Sequence, residues 1–244
     1  AAMAVAGGDA PGSDLLGLGP SRAGRVVYFA GEDPLPILEY RIHAIGKHLP
    51  CQVHPVIAGR MTVKTVVGQC MNVMDEPTLR QVVGECLGAR LIVLDTLSRF
   101  HSLDENSNGD MARLVSRLGR IAVETGASVL YLHHVTKGST KEGGADQQQA
   151  ARGASALVYD ARWCGFMAPM TCEEASRLSA DPEGAVPIGE GRRRHFVRFG
   201  VSKQNYGHMP PDRWYLRGAD GVLLPVALSA AGSRGRRKVH REYA

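Results

Sequence analysis

Three short apolar runs each end in polar residues able to do chemistry on a phosphate. Val26–Ala30 leads into Gly31, Glu32 and Asp33, Leu91–Leu94 into Asp95 and Thr96, and Ser128–Leu132 into His133 and His134. A carboxylate at the end of a buried strand, with a hydroxyl beside it, positions magnesium or water in nucleotide hydrolases. That Walker B-like chemistry is open to Asp95 and Thr96. Glu32 can serve as general base toward a water. His134 can sense or stabilise a γ-phosphate through a ring N–H. Arg162, ahead of Trp163, can act as an arginine finger on a transferring phosphoryl group. Each also has a plainer reading. Asp95 can cap a turn, Glu32 can be a turn carboxylate before Pro34, the histidine pair can simply end a strand, and Arg162 can be a surface arginine.

The elements that must position these groups are legible in part. The three runs read as strands; four apolar residues in a row at 91–94 suit a central strand covered on both faces. Leu35, Leu38, Ile42, Ile45 and Leu49 recur at spacings of three and four, which predicts an amphipathic helix over 35–49. Residues 53–57 read as a further short strand, 60–76 are ambiguous, and 79–87 read as helix closed by Gly88. Met111, Leu114, Val115, Leu118 and Ile121 mark a strong helix ending at Gly126. Alternation of strand and helix predicts an α/β fold with a mostly parallel twisted sheet flanked by helices. In such sheets ligands bind beyond the carboxyl ends of the strands. Three strands bring polar groups to that edge, which outweighs any one coincidence.

Beyond residue 135 periodicity is lost. Residues 137–144 read as a polar loop, followed by three glutamines at 147–149. Residues 162–167 read as a strand, and Thr171-Cys172-Glu173-Glu174 as a helix start with a capping box. Runs at 195–201, 214–217 and 222–226, split by glycines, predict antiparallel strands that extend the core.

Composition excludes several classes. Of the 244 residues, 44% are hydrophobic and 22% charged, which suits a globular chain rather than a disordered or collagenous one. No run approaches the roughly 20 apolar residues of a membrane helix. Five scattered cysteines with no C-x-x-C pair argue against zinc and a disulfide framework, and read as free thiols in a reducing cytoplasm. The formal charge of +5 suits a nucleic-acid partner only weakly. Basic residues cluster at the end, in Arg234, Arg236, Arg237, Lys238 and Arg241. They read as a solvated, disordered tail over 228–244 or as a phosphate-contacting arm, with 1–227 forming one domain.

One part of a nucleotide hydrolase has no counterpart. The phosphate cradle G-x-x-x-x-G-K-[ST] does not occur in the sequence.

The motifs taken together resemble a family. Ala30-Gly31-Glu32-Asp33-Pro34, Leu94-Asp95-Thr96-Leu97-Ser98-Arg99-Phe100-His101 and Leu132-His133-His134-Val135-Thr136-Lys137-Gly138 recur in the ring-forming RecA-like helicases of plasmid replication. So do residues 144–150, Arg152-Gly153-Ala154-Ser155, Arg162-Trp163 and the stretch from Phe196 to Gly207. The likeness is to the hexameric replicative helicases, RepA type, of IncQ-like broad-host-range plasmids, and it spans residues 1–226.

The resemblance implies a RecA-like ATPase core, ATP and Mg²⁺ as cofactors, a homo-hexameric ring and single-stranded DNA as partner. Plasmid initiator and primase proteins would be further partners, in a bacterial cytoplasm and away from membranes. It implies that Glu32 polarises the attacking water, Asp95 acts on Mg²⁺ through water, His134 senses the γ-phosphate and Arg162 reaches the adjacent subunit's nucleotide. Thr96, Lys203 and Tyr206 would lie near nucleotide, and Lys137, Lys141 and Arg152 would face DNA in the channel. In this family the phosphate loop precedes a helix whose last turns resemble residues 1–8, so the resemblance implies a chain truncated at its start. A natural remnant without ATPase activity, serving as a binding or regulatory module, and a RecA-like recombinase are the alternatives.

Overall fold

The computed structural model describes residues 1–69, 71–134, 155–181, 183 and 186–232. The helices are α1 (Ala2–Gly7), α2 (Leu35–Gly46), α3 (His54–Arg60), α4 (Glu76–Cys86), α5 (Asn108–Thr125), α6 (Ser155–Asp160) and α7 (Cys172–Arg177). The strands are β1 (Val26–Ala30), β2 (Met61–Thr65), β3 (Leu91–Asp95), β4 (Ser128–Tyr131), β5 (Trp163–Pro169), β6 (Leu178–Ser179), β7 (Phe196–Gln204), β8 (Arg213–Arg217), β9 (Leu223–Val226) and β10 (Ser229–Ala230). None of the described helices is long and apolar enough to cross a membrane. The chain divides into two compact units, residues 1–164 with 202–209, and residues 165–201 with 210–244.

The first unit is built on a four-stranded sheet in the order β2-β1-β3-β4. All its pairs are parallel, with Ala30 beside Asp95 and Leu94 beside Tyr131. The sequence dictates the two central strands. In β3, Leu91 to Leu94 are all buried, and β1 buries four of its five residues. Such continuous burial arises only where helices cover both faces of a sheet. One face packs Phe29, Ile92 and Leu94 against Leu79 and Val82 of α4 and Met111, Leu114 and Ile121 of α5. The other packs Val26, Leu91 and Val93 against Ala6, Val53 and Ile57. Helix α5 is capped by Ser107, whose side chain accepts the Asp110 N–H, and ends at Gly126 in the left-handed conformation at φ 70°.

The expected strand at 53–57 is a helix. A 3-10 turn at Cys51–Val53 runs into α3, with Pro55 in its first turn. Val53 and Ile57 are both buried. Their spacing of four is one face of a helix, and Pro55 is tolerated there because a first-turn N–H has no partner to lose. The ambiguous stretch after residue 60 holds β2, half-buried along its length at the edge of the sheet.

A second sheet, of order β5-β7-β8-β9, pairs β7, β8 and β9 antiparallel. In the second unit Thr171 and Glu174 form the expected capping box of α7, each side chain accepting the other's backbone N–H at 3.1 and 2.8 Å. Arg198 is nearly enclosed there, between Glu174 and Asp212 and over the ring of Phe166. The fold class is the one read from the sequence, a parallel α/β core with antiparallel C-terminal strands.

Candidate functional site

Parallel pairing aligns the carboxyl ends of β1, β3 and β4, and the polar residues that follow those strands converge there. Thr96, only 3% exposed, donates its hydroxyl hydrogen to Glu32 Oε1 at 3.0 Å and shares a 3.1 Å contact with the Ser98 hydroxyl. The Asp95–Thr96 peptide bond is cis. Arg99 Nε lies 3.5 Å from Glu32 Oε1, and His134 Nε2 lies 3.7 Å from Oε2. Glu32 thus has one buried hydrogen-bond donor and two open ion-pair partners. The Thr96 hydroxyl first, then His134 and Arg99, hold the Glu32 carboxyl below the usual carboxylate range against the opposing effect of burial. It is ionised at neutral pH.

The magnitudes separate these partners. The His134 side chain is 77% exposed and that of Arg99 58%. Exposed pairs of this kind contribute about 0–1 kcal/mol each, so either is readily exchanged for an incoming anion. Thr96 is fixed in the fold and is the permanent partner. Gly31 makes the Arg99 contact possible: a Cβ there would stand 2.5 Å from Arg99 Cβ and 2.7 Å from Cγ.

Asp95 is oriented separately. The Tyr28 hydroxyl donates to Asp95 Oδ2 from the neighbouring strand. Burial first, and then this hydrogen bond, raise the Tyr28 phenol well above its ordinary range, so it remains a donor. One oxygen of Asp95 is thereby engaged by the protein. Asp33 pairs with Arg41 of α2, and its carbonyl accepts from Thr65 at 3.2 Å, which ties the loop after β1 to β2.

Among the described residues no group of three His, Cys, Asp or Glu side chains could hold a metal by protein ligands alone. The donors present are oxygens: the Asp95 and Glu32 carboxylates and the Thr96 and Ser98 hydroxyls. Mg²⁺ is commonly held by one or two carboxylates with waters and substrate phosphates supplying the rest. The residues fit that mode: Asp95 would be the holding carboxylate, and Mg²⁺ would supply neutralisation of phosphate charge there.

A second group of expected residues gathers elsewhere in the same unit. Arg162 is exposed just before β5, and its carbonyl accepts the Asn205 N–H at 3.1 Å. Lys203 Nζ donates to the carbonyls of Val158, at 3.1 Å, and of Tyr159. It therefore caps the last turn of α6, where a cation complements the helix dipole. Tyr206 is 81% exposed. Among the described residues neither the Arg162 guanidinium nor the Tyr206 hydroxyl has a side-chain partner. Lys137, Lys141 and Arg152 lie outside the described residues, as do residues 233–244 of the basic tail.

The structure thus unites Glu32, Asp95, Thr96 and His134 at one sheet edge, and Arg162, Lys203 and Tyr206 in a separate group. It adds Tyr28, Ser98 and Arg99 to the first. A tyrosine with a polar tip inside the otherwise apolar run 26–30 was the available signal for Tyr28. Arg99 left none, because its role depends on the 3-10 turn at Leu97–Arg99 that folds it back over Gly31.

Known proteins agree with this architecture. A solved ATPase domain superposes with a TM-score of 0.53, over 82% of this chain and 74% of that one, at 12% identity. At that identity the likeness concerns the fold, which is RecA-like. Residues 1–140, which contain all four parallel strands and the whole Glu32 cluster, match the model of the AAA domain. That match takes in more than half of the chain, so the chain belongs to the AAA domain family.

Proposed function

We propose that this protein is an ATP-driven, ring-forming DNA helicase of the plasmid-replication type, with hydrolysis at subunit interfaces. The observation that carries the reading is Glu32. It is an ionised carboxylate at a parallel-sheet edge, hydrogen-bonded to Thr96 beside Asp95 and faced by the exposed ring of His134.

In this reading Glu32 orients a water toward the γ-phosphorus. As the new P–O bond forms, the bond to the bridging oxygen of the β-phosphate breaks, giving ADP and inorganic phosphate, and the water's proton passes to Glu32. In its present arrangement Glu32 is a weakened base, because three partners favour its charged form. When His134 turns from Glu32 to the γ-phosphate, one of those influences is withdrawn and the carboxylate becomes a better proton acceptor. Phosphate sensing and base activation are then one event. Arg162 supplies positive charge to the nucleotide of the adjacent subunit, with Lys203 and Tyr206 close by. Lys137, Lys141 and Arg152, in the segment that follows His134, contact DNA phosphates without sequence preference.

The alternative reading is a catalytically inactive RecA-like binding or regulatory module. The two separate in a single assay, ATP hydrolysis by the full-length gene product with and without single-stranded DNA. The helicase reading expects DNA-stimulated turnover that falls by about 10²–10⁴-fold in Glu32→Gln while nucleotide binding persists. Turnover indifferent to DNA, or unchanged in Glu32→Gln, refutes it.

A further inference from the structure

Glu105 stands between two imidazoles that the proposed chemistry leaves unused. Its Oε2 is 3.4 Å from His133 Nε2, and its Oε1 is 3.8 Å from His101 Nε2. The His101 side chain is 2% exposed and that of His133 22%. Both Nε2 atoms are buried without a hydrogen-bond partner.

The backbone settles what His101 offers. The Leu103 N–H donates to His101 Nδ1 at 3.2 Å. In the neutral ring the hydrogen must then sit on Nε2, and burial first of all keeps this ring neutral. A protonated Nε2 has no lone pair for a metal, so the trio is not a cation site while the Leu103 bond holds. His101 instead directs an N–H donor at the Glu105 carboxylate, and His133 Nε2 faces the other oxygen. Both distances exceed a hydrogen bond by a few tenths of an ångström. A buried donor without an acceptor is unfavourable, and Glu105 is the carboxylate that faces both rings.

Connectivity gives the contact its consequence. His101 and Glu105 lie in the segment between β3 and α5, downstream of Thr96, Ser98 and Arg99. His133 is the residue before His134. The segment after β3 and the end of β4 therefore meet three times: through the Leu97 N–H, donated to the Leu132 carbonyl at 2.8 Å, through Glu32, held by Thr96 and Arg99 from one and His134 from the other, and through Glu105. We propose that Glu105 is a positioning residue: by clamping His133 it sets the reach of His134 toward Glu32 or toward phosphate. The clamp rests on the ATPase reading for its purpose, although not for its geometry.

Two measurements test it. In the full-length gene product, Glu105→Ala is expected to lower kcat for ATP about tenfold, equivalent to about 1.36 kcal/mol in the barrier, with KM nearly unchanged. Glu105→Gln, whose amide oxygen still accepts, retains most of the rate, and Glu105→Ala with His133→Ala is no slower than Glu105→Ala alone. An unchanged kcat in Glu105→Ala, beside a Glu32→Gln variant that is dead, overturns the clamp and leaves the ATPase reading standing. If the wild type does not hydrolyse ATP, that reading fails, and the clamp is judged by imidazole NMR on the chain itself. The His133 and His134 ring signals are both expected to move in Glu105→Ala and to stay near their wild-type positions in Glu105→Gln. His134 signals that do not move in Glu105→Ala overturn it. Should the alanine variant fail to fold, His133→Asn is read by kcat and by the His134 ring signal, which is expected to move; an unchanged kcat and an unmoved His134 signal overturn the clamp.

Discussion

The Glu32 and Arg162 groups belong to one compact unit, yet they are built on opposite principles. Around Glu32 nearly every polar atom is answered within the chain: Thr96, Arg99 and His134 serve the carboxylate, and Tyr28 serves Asp95. In the Arg162 group only Lys203 is committed, to the carbonyls ending α6, while the Arg162 guanidinium and Tyr206 hydroxyl have no described side-chain partner. An internally balanced cluster suits groups that must hold a defined geometry before substrate arrives. A charge left exposed on an anchored scaffold suits a group whose target comes from outside, which in the proposed ring is the next subunit.

Substitution can break this contrast. The largest effect is expected at Arg162: in its proposed role of arginine finger, whose replacement costs about 10³–10⁵ in turnover, Arg162→Ala should nearly silence ATP hydrolysis by the full-length gene product. Mixing it with Glu32→Gln should recover part of the rate, because some interfaces then pair an intact Glu32 with an intact neighbouring Arg162. Failure of the mixture to exceed either parent places both residues in the same subunit's site and removes the contrast.

Leu94→Ala attacks the support of the Glu32 group. Leu94 is fully buried in β3 one residue before Asp95, and such truncations cost about 2–5 kcal/mol. Urea denaturation should show that loss, and a value below about 1 kcal/mol would mean that β3 is not the keystone of the sheet.

Thr96→Val is milder and more informative. It removes the leading influence that depresses Glu32, so Glu32 returns toward the ordinary range. The acid limb of the pH–rate profile should move to higher pH, because a carboxylate that must be ionised to act then takes up its proton more readily. An unmoved acid limb dissociates Thr96 from the base.

The smallest effect lies at the surface. Glu76, at the start of α4, is held by Arg120, Arg117 and Arg80, which bring its carboxyl down to about 2. A depressed carboxyl stabilises the fold above its unfolded value of about 4.3 and loses that contribution as pH falls through its folded value. The Tm difference between wild type and Glu76→Gln should therefore be constant near neutrality and shrink between about pH 4.3 and 2. A difference that does not change over that window excludes the ion network as its source.

Much of this was legible beforehand. The apolar runs at 26–30, 91–94 and 128–132, the helix through Met111 and Ile121 that ends at Gly126 and the Thr171 capping box are local signals, and burial or capping enforces them wherever they occur. Residues 53–57 misled because an i, i+4 pair of apolar residues across a proline satisfies a short strand and a helix equally well until packing chooses. Arg99 carries no local sign of its role, since only the turn after Thr96 brings it toward Glu32.

The sequence by itself determined that three parallel strands would end in Glu32, Asp95-Thr96 and His133-His134, because alternation and continuous burial leave a sheet few alternatives. Tertiary structure alone decided which of these groups touch. Thr96 and Glu32 are 64 residues apart, and Tyr28 and Asp95 are 67 apart. No local rule reaches that far. The β1–β3 register, which sets Ala30 beside Asp95, brings both pairs within hydrogen-bond distance. The same holds for Lys203, which a motif marks as a nucleotide neighbour but which folding engages at the end of α6, since helix-end carbonyls need a donor.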